Sequence, residues 1–588
     1  MMGKKVFYSL ALASMLMLGS CSSSDDLNGG NIAGNVGKSY IAVKINSVGT
    51  APGSRADYSQ GGGTYDDGTD AEGAISEVRF FFFNNDGSAY LIKGSQLNYK
   101  DVQPDPTEAG SADHLQTIEG KTAAVMMIEG ETKTAPAYVI AVVNPKTLSN
   151  KLENRAYRES ELRDAFVASK FIDDNGKNFV MSNSVYSENG ARVCATSISG
   201  HVAENAEAAK ANPADIYVER VVAKATTSVD ESTGTWEKIP EGKADAGKYR
   251  TKVGEINVVE KQADGTDKDV TKNVYAVVQG WGLADEDGEA DLVKQIDVTS
   301  DKWTSTILGI DPWTSPDYHR CFWSSSVAIT PTSGTNPIKN HKYSEYTTSF
   351  GTTPLYTCPN TPTYNEFQAG INKDENQLTK VLVAAKLEYE DADGTPQPAV
   401  ICKYRGMNFL GEDKLKTQIA QDHNTYFTVD ATDPQRHPSL TAANITFSRE
   451  SLPGEDQLKS YEVRPVLADG VRVYQQDAGG QWIDKTDELN KALAESPAQV
   501  RKEGMTYYYT PIRHLGTDET KWGYYGVVRN HSYRITINTI AGFGTPVYNP
   551  DEVIDPTIPK DTDTYLAARV NVLSWRVVTN KVDLDATK

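Results

Sequence analysis

Apolar and polar residues alternate along much of the chain, and this pattern predicts strands rather than helices. The first clear case is residues 40–48, where every second side chain is apolar: Ile41, Val43 and Ile45. Runs richer in aromatic and β-branched residues predict core strands at residues 75–83, 123–128, 138–143 and 216–223. Two short helices are expected over residues 160–169, with Ser160 as a cap, and over residues 203–211.

The second half of the chain has the same character. Strands are predicted at residues 255–259, 274–278, 381–387, 399–403, 462–466, 506–510 and 533–537, with one helical insertion over residues 484–494. Many strands and few helices indicate an all-β fold built of β-sandwiches. From about residue 226 the chain becomes rich in Gly, Asp and Thr, which marks the best candidate for a domain boundary.

The C-terminal segment combines a linker with an apolar strand pattern. Pro546, Pro550, Pro556 and Pro559 interrupt an acidic stretch after Gly544, which predicts an extended linker. Residues 565–584 are strand-like again, with one face formed by Leu566, Ala568, Val570 and Val572. The alternation then shifts by one position and continues through Leu573, Trp575 and Val577, which indicates a bulge or two short strands. Such a segment either folds back on its own domain or pairs with another subunit.

Composition narrows the class of protein. The 588 residues include 59 Lys and Arg against 79 Asp and Glu, a net charge of −20 that argues against nucleic acid as a partner. Aromatic residues make up 9% and hydrophobic residues 39%, which is too rich for a disordered chain. The length is enough for two or three domains, each with its own core.

The N-terminus has the features of an export signal. Lys4 and Lys5 precede an apolar stretch that is too short to span a bilayer, so residues 1–20 are interpreted as a signal peptide. The sequence ending at Cys21 resembles the lipobox of bacterial lipoproteins, in which this cysteine is acylated. The alternative is an ordinary signal peptide followed by a free cysteine. The short acidic segment at residues 22–26, SSSDD, resembles the tether signal of lipoproteins exported to the outer face of the outer membrane.

Residues 49–73 are dominated by Gly, Ser, Asp, Thr and Tyr, which predicts an exposed loop. The loop contains one basic residue, Arg55, followed by Ala56. Arg55 is either a solvated surface residue or the cut site of an arginine-specific protease, which requires an extended and accessible segment.

Candidate sites for catalysis or metal binding are few. The sequence contains no HExxH, GxSxG, GxxxxGK[ST] or GxGxxG motif, and its eight histidines lack the spacing of metal ligands. We therefore predict no enzyme activity, no metal and no cofactor. Asp285, Asp287 and Asp291 lack the order of an EF-hand loop and are interpreted as part of a solvated turn.

Two further sets of residues have open interpretations. Four tryptophans are either core aromatics or a sugar-stacking platform: Trp281, Trp303, Trp313 and Trp323. Four cysteines besides Cys21 either form up to two disulfides or remain as buried thiols: Cys194, Cys321, Cys358 and Cys402.

Several segments resemble the type V pilins, or fimbrillins, of Bacteroidales, and most closely the Mfa-type shaft (major) subunit of short fimbriae. They include the lipobox at Cys21 and the small-residue–Arg–Ala context at Arg55. They also include VERVVAKA at 218–225, VYAVVQG at 274–280, VLVAAKL at 381–387, VVRNHSYRITI at 527–537 and VNVLSWRVVTNKVDL at 570–584. The last two segments are the most specific.

This resemblance implies two transthyretin-like β-sandwich domains with short helical insertions. It implies a signal peptide at 1–20, a propeptide at 21–55, domains at 56–225 and 226–545, and a linker with donor strands at 546–588. Cleavage after Arg55 would remove the strand that carries Ile41, Val43 and Ile45. The vacated groove would take a C-terminal segment of the next subunit, with Val570, Val572, Leu573, Trp575 and Val577 as donor residues.

The implied function is that of a structural fimbrial subunit at the cell surface, for adhesion and biofilm formation. The implied partners are further copies of the chain, anchor and tip fimbrillins, an arginine-specific surface protease, and the outer membrane through lipid on Cys21. A tip or accessory adhesin of the same family is one alternative. A monomeric glycan-binding surface lipoprotein that uses the tryptophans is another.

Overall fold

The computed structural model describes residues 38–47, 68–104, 113–118, 121–132, 134–184, 186–188, 191–262, 264–295, 324, 326, 338–351, 353–362, 367–368, 378–430, 432–450, 458–459, 461–514, 518–556, 565–573 and 578–579. The all-β prediction is confirmed, since strands dominate and the helices are short. Among the described residues, no helix has the length and apolar character needed to cross a membrane.

The first thirteen strands form what we call the N-terminal unit. They are β1 (Lys38–Ser47), β2 (Val78–Phe83), β3 (Tyr99–Pro104), β4 (His114–Ile118), β5 (Lys121–Glu129), β6 (Tyr138–Val143), β7 (Val167–Ala168), β8 (Met181–Asn183), β9 (Tyr186–Glu188), β10 (Ala191–Val193), β11 (Thr196–Ser197), β12 (Val202–Ala203) and β13 (Ala214–Arg220). Three short helices accompany them, α1 (Asp70–Gly73), α2 (Glu159–Asp164) and α3 (Ala206–Ala211).

The main sheet of the N-terminal unit closes on itself. Its order is β6-β2-β3-β4-β5-β1-β13-β8, and β8 pairs in turn with β6. The closed sheet surrounds a core rich in large side chains, including Phe80, Phe82 and Met126. Closure leaves β1 with a partner on each side, so the unit has no free edge at this point.

The remaining strands form the C-terminal unit and an insertion within it. They are β14 (Ala223–Val229), β15 (Trp236–Lys238), β16 (Tyr249–Lys261), β17 (Asp267–Ala284), β18 (Ala290–Asp291), β19 (Leu355–Thr357), β20 (Lys380–Glu390), β21 (Pro396–Pro398), β22 (Ile401–Tyr404), β23 (Met407–Leu410), β24 (Ile445–Ser448), β25 (Arg464–Leu467), β26 (Tyr474–Gln476), β27 (Trp482–Asp484), β28 (Gln499–Val500), β29 (Met505–Pro511), β30 (Ser532–Ala541), β31 (Thr545–Pro546), β32 (Tyr565–Leu573) and β33 (Val578–Thr579).

Two sheets of the C-terminal unit enclose a common core. One has the order β15-β16-β17-β20-β29-β31, and the other has the order β19-β14-β30-β32-β33. Val383 from the first sheet and Ile535 from the second belong to the same buried cluster, as expected for a β-sandwich. At the β17 bulge, Gly280 lies so close to Tyr346 that a Cβ would be 2.3 Å from its carbonyl oxygen. Only glycine fits there without moving the backbone.

The insertion between β21 and β29 has its own hydrophobic core. Two helices, α4 (Glu412–Asp422) and α5 (Thr486–Ala494), contribute Leu415, Ile419, Leu489 and Leu493 to this cluster. The helix predicted over residues 484–494 corresponds to α5, whereas α4 was not predicted. Short one-turn 3₁₀ segments lie at Pro145–Thr147, Glu231–Thr233, Tyr343–Glu345, Ala442–Asn444 and Lys502–Gly504.

Several sequence expectations are wrong in detail. Of the exposed loop predicted over residues 49–73, residues 70–73 form α1, and Glu72 in this helix is buried. The helix expected over residues 160–169 ends at Asp164, because Val167 and Ala168 form β7 and pair with β18 of the C-terminal unit. Ser160 does not begin this helix, since the amide of Arg158 donates to the Glu161 carboxylate at its N-terminus. A pairing between distant segments has overridden the local helical pattern.

Other side chains are more buried than expected. Asp285 and Asp287 are buried and so do not form a solvated turn. Trp281 is also buried and its indole N–H donates to the Ser349 carbonyl, so it offers no exposed ring to a sugar. Three cysteines are buried thiols, Cys194, Cys358 and Cys402. The remaining members of these sets, Cys321, Trp303, Trp313 and Trp323, lie outside the described residues.

Candidate functional site

The leading strand β1 is an internal strand of the closed sheet. It pairs antiparallel with β5, from Lys38 opposite Glu129 to Lys44 opposite Ala123. On its other side it pairs antiparallel with β12 and then parallel with β13, from Val43 opposite Ala214 onward. Hydrogen bonds on both edges bind β1 to the sheet, although it is the first described segment of the chain.

One face of β1 belongs to the main core of the N-terminal unit. Ile41 and Val43 are fully buried and Ile45 is 4% exposed, within the same cluster as Phe80 and Met126. The predicted grouping of Ile41, Val43 and Ile45 on one face is therefore what the structure has. At about 1.5–3 kcal/mol for each fully buried aliphatic side chain, this face contributes strongly to the stability of the unit.

The other face of β1 is covered by helix α3. Ala42 is fully buried in a small cluster with Val125 of β5 and Ala209 of α3. The short helix is rich in alanine, AEAAKA, and such small side chains let a helix approach a strand closely. Two positions further along, the Lys44 ammonium lies 3.4 Å from the Asp215 carboxylate on β13. The groove around β1 therefore has a large apolar side, a site sized for alanine, and an acidic site at one wall.

A buried ion cluster holds the β13 wall in place. Glu219 accepts from Lys294 at 2.9 Å and lies 3.2 Å from the Arg529 guanidinium, and all three side chains are nearly inaccessible. Arg529 also donates to Ser182 on β8 and to the Leu292 carbonyl. Burial lowers the pKa of the Arg529 guanidinium, while the Glu219 carboxylate opposes this shift. These contacts fix the end of β13 to the C-terminal unit without using β1.

A second buried cluster holds the chain downstream of Arg55. Glu72 in α1 is 1% exposed, and its carboxylate is 2.9 Å from Lys224 and accepts from the Tyr356 hydroxyl. The Arg220 guanidinium donates to the Glu72 backbone carbonyl at 2.7 Å. Burial opposes the charge on Glu72, but the hydrogen bonds from Tyr356 and Lys224 outweigh it and lower the carboxyl pKa. These contacts hold the chain that follows Glu72 in place, and none of them involves β1.

The C-terminal strand β32 folds back on its own C-terminal unit. It pairs antiparallel with β30, where Val570 is opposite Ile535 and Val572 is opposite Tyr533. Ile535 and Tyr533 of β30 are buried. Of the two fates predicted for this segment, the structure of the single chain has the fold-back. β33 then pairs with β32 at the edge of the sheet.

The structure therefore brings together some of the predicted site residues and not others. Ile41, Val43 and Ile45 fill one groove in the N-terminal unit, while Val570, Val572 and Leu573 lie in a different sheet. Cys21, Arg55, Ala56, Trp575 and Val577 fall outside the described residues. Sequence reasoning missed Ala42, Asp215, Glu72, Glu219 and Arg529. An alanine inside an aliphatic run is a local signal for a tight site, but the charge pairs join distant segments and have no local signal.

Comparison with known proteins supports a family assignment. Residues 500–581 match the family model described as major fimbrial subunit protein type IV, fimbrillin, C-terminal. The matched range includes β30, β32 and β33, the strands of the fold-back. The C-terminal region of the chain is thus similar to the C-terminal region of fimbrillins. This similarity supports a fimbrial or adhesion-related role at the cell surface.

Similarity to other known proteins is distant. A candidate cell adhesion protein from Bacteroides eggerthii is 13% identical, with a TM-score of 0.29, covering 91% of this chain and 97% of that one. The tip fimbrial protein Mfa3 from Porphyromonas gingivalis is 10% identical, with a TM-score of 0.25 and coverage of 90% and 99%. A fimbrial assembly protein from Parabacteroides distasonis is 11% identical, with a TM-score of 0.23 and coverage of 61% and 86%. No curated protein matches the chain.

Proposed function

We propose that this protein is a fimbrillin and a structural subunit of a type V fimbria, matured by proteolysis after Arg55 and polymerised by exchange of strands between subunits. The observation that carries the proposal is the position of β1. It is an internal strand, buried on both faces, and is joined to the rest of the chain only through the segment that contains Arg55. Cleavage there would break the covalent link between β1 and the later strands and allow β1 to leave. The buried clusters of Glu72 and Glu219 would keep α1 and β13 in place.

Loss of β1 would create an acceptor groove. The edges of β5 and β13 would then present unpaired backbone groups, and the core around Phe80 and Met126 would be open to water. A strand from a second subunit that enters this groove restores both the hydrogen bonds and the burial. We propose the C-terminal segment with Val570, Val572, Leu573, Trp575 and Val577 as that donor. Because donor and groove lie on different parts of the subunit, the contact repeats into an open filament.

The same proposal accounts for export. Residues 1–20 would act as a signal peptide and lipid on Cys21 would hold the precursor at the outer membrane until cleavage. Because Cys21 precedes Arg55, the cut that opens the groove also frees the subunit from its anchor. The mature chain would assemble with further copies and with anchor and tip fimbrillins, in a structural role for adhesion and biofilm formation that requires no catalytic site.

The test uses two substitutions at the cut site. Arg55→Ala and Arg55→Lys should both resist an arginine-specific protease, and both precursors should stay monomeric. Limited trypsin cuts after lysine as well as arginine, so it should convert the wild type and Arg55→Lys into filaments and leave Arg55→Ala as a monomer. Filaments are counted by negative-stain electron microscopy, and the new N-terminus is read by sequencing.

The control checks that trypsin restores filament formation by cutting one bond, the peptide bond between residue 55 and Ala56. Trypsin-treated Arg55→Lys should begin at Ala56 and should have lost residues 38–47. Filaments of uncut Arg55→Ala would refute the proposal. So would wild-type filaments in which residues 38–47 remain attached.

A further inference from the structure

We infer the register of the strand exchange: residues 565–571 of one subunit take the positions of residues 40–46 in the next, residue for residue. This inference rests on the proposed function and specifies which segment of the partner copy enters the groove. It also predicts how each position of the groove is filled.

The first observation is a correspondence between the two ends of the chain. Residues 40–46 read YIAVKIN and residues 565–571 read YLAARVN. Tyrosine, alanine and asparagine recur at the first, third and seventh positions. The aliphatic residues Ile41 and Ile45 correspond to Leu566 and Val570, and Lys44 corresponds to Arg569. The two segments thus share both the apolar alternation and the position of the cation.

The second observation is the small site under helix α3. Ala42 is fully buried between β5 and α3, so its position tolerates only a small side chain. The proposed register places Ala567 there. A shift by two residues keeps the apolar face inward but brings Tyr565 or Arg569 to this site, and a shift by one turns the apolar face outward.

The third observation is the charge on the β13 wall. Asp215 is paired with Lys44 in the precursor, and this partner leaves with β1. In the proposed register Arg569 takes the place of Lys44 and faces Asp215 from the incoming strand. The groove therefore selects the donor mainly by size at the Ala42 position, and the partly exposed Asp215 adds a smaller preference for a cation two residues later.

A second segment of the chain competes with this register. Residues 573–577, LSWRV, also place a small residue at the Ala42 position and an arginine at the Lys44 position. They bring Trp575 to the position of Val43, which is fully buried in a packed core and has no room for an indole. In the register that we infer, Ala568 fills this position and Val570 takes the position of Ile45. Val572 falls at the last residue of β1, and Leu573, Trp575 and Val577 lie past its end, so of the proposed donor residues only Val570 enters the core through the positions of β1.

Ala568 also explains why cleavage is needed. Val43 fills its site better than the smaller Ala568, so an uncut subunit keeps its own strand in preference to the donor. Removal of β1 by proteolysis takes away the better competitor. The substitution Ala568→Val should accordingly make filaments more resistant to dissociation in denaturant.

Crosslinking distinguishes the two registers. Lys44 is opposite Ala123 in β5, so the inferred register places Arg569 of the donor opposite Ala123 of the acceptor. Cross-strand partners have Cα atoms about 4.5–5.5 Å apart, within the range of a disulfide. The chain with Ala123→Cys and Arg569→Cys is cleaved, assembled and oxidised, and then run on non-reducing denaturing gels. The matched control carries Ala123→Cys and Arg576→Cys.

The expected result is a ladder of covalent multimers for the Arg569 pair and none for the Arg576 pair. The uncleaved Arg569 variant should stay monomeric, because β32 then lies against β30 with Arg569 opposite Thr536. Filaments that give a ladder only with the Arg576 pair, or with neither pair, overturn the register and leave strand exchange standing. Failure of the cleaved wild type to form filaments overturns the proposed function and the register with it.

Discussion

Asp285 and Lys380 show how single residues stabilise the C-terminal unit. Their side chains form an ion pair that is almost inaccessible to solvent, and Asn340 donates to the same carboxylate at 2.8 Å. Burial raises the pKa of Asp285, while Lys380 and Asn340 favour its charged form and oppose the shift. A buried pair of this kind is costly to break, because the remaining charge has no solvent to stabilise it.

Lys380→Met should therefore lower the free energy of unfolding by about 3–5 kcal/mol, measured by urea denaturation. Lys386→Met is the matched control, since Lys386 lies on the same strand and its side chain is 38% exposed. The control should change stability by less than about 1 kcal/mol. Equal losses for the two variants would show that the Asp285 pair is not the cause.

Glu72 gives a prediction about pH. Burial raises its carboxyl pKa, but the hydrogen bonds from Tyr356 and Lys224 outweigh burial and bring the folded-state pKa below the ordinary value of 4.5. The unfolded chain then binds this proton more readily than the folded chain. The stabilisation is complete above about pH 4.5 and is lost as the pH falls through the lowered pKa.

Glu72→Gln removes this titrating group. Melting temperatures measured from pH 7 to pH 3 should show the variant well below the wild type at neutral pH, with the gap closing in acid. Asp70→Asn, an exposed change in the same helix, should leave the profile of the wild type intact. A gap between wild type and Glu72→Gln that stays constant with pH would contradict the assignment.

Among the elements, β1 is the one whose removal has the clearest consequence. A chain that begins at Ala56 should fold with exposed β5 and β13 edges, because those strands are held by β4, β8 and the Glu219 cluster. Amide exchange in β5 and β13 should be fast in this chain. A synthetic peptide of residues 38–47 should slow the exchange by restoring both ladders.

The peptide with Val43→Asp is the matched control. It keeps the length and backbone of β1 but places a carboxylate in the core, so it should not protect the groove. Equal protection by both peptides would indicate binding elsewhere on the unit.

The fold-back of β32 competes with donation to another subunit. In the single chain, Arg569 is opposite Thr536 of β30. Thr536→Lys places a like charge opposite Arg569 and should loosen the fold-back without altering the donor, whereas Thr536→Glu should tighten it. After cleavage, filaments should form several-fold faster for Thr536→Lys than for Thr536→Glu, followed by light scattering. The reverse order would show that β32 is not released from β30 during assembly.

The elements also show what the sequence can and cannot predict. Alternation placed the strand at Ile41, Val43 and Ile45 correctly, because one face is core. It could not show that β1 lies between β5 and β13, since pairing joins segments far apart in sequence. The acidic run at Asp285 suggested a solvated turn because its partner, Lys380, lies 95 residues away. Burial of polar groups depends on such distant partners.

At the scale of the whole molecule, the proposed subunit has two different ends. One is a groove that opens only after cleavage, and the other is the C-terminal strand. Each end can be disabled separately. A cleaved chain that lacks residues 565–588 keeps the groove and has no donor, whereas uncleaved Arg55→Ala keeps the donor and has its groove filled by β1.

These two chains should act as terminators at opposite ends of a filament. Adding about one terminator per twenty cleaved wild-type subunits should limit the mean length to about twenty subunits, since growth at one end stops when a terminator binds. Mixed with each other and without wild type, the two should form a one-to-one heterodimer, since no groove and no free donor remain after the first contact. Mass photometry measures both distributions. Heterodimers that continue to grow would require a second contact between subunits, and terminators without effect on length would show that these two segments are not the joint.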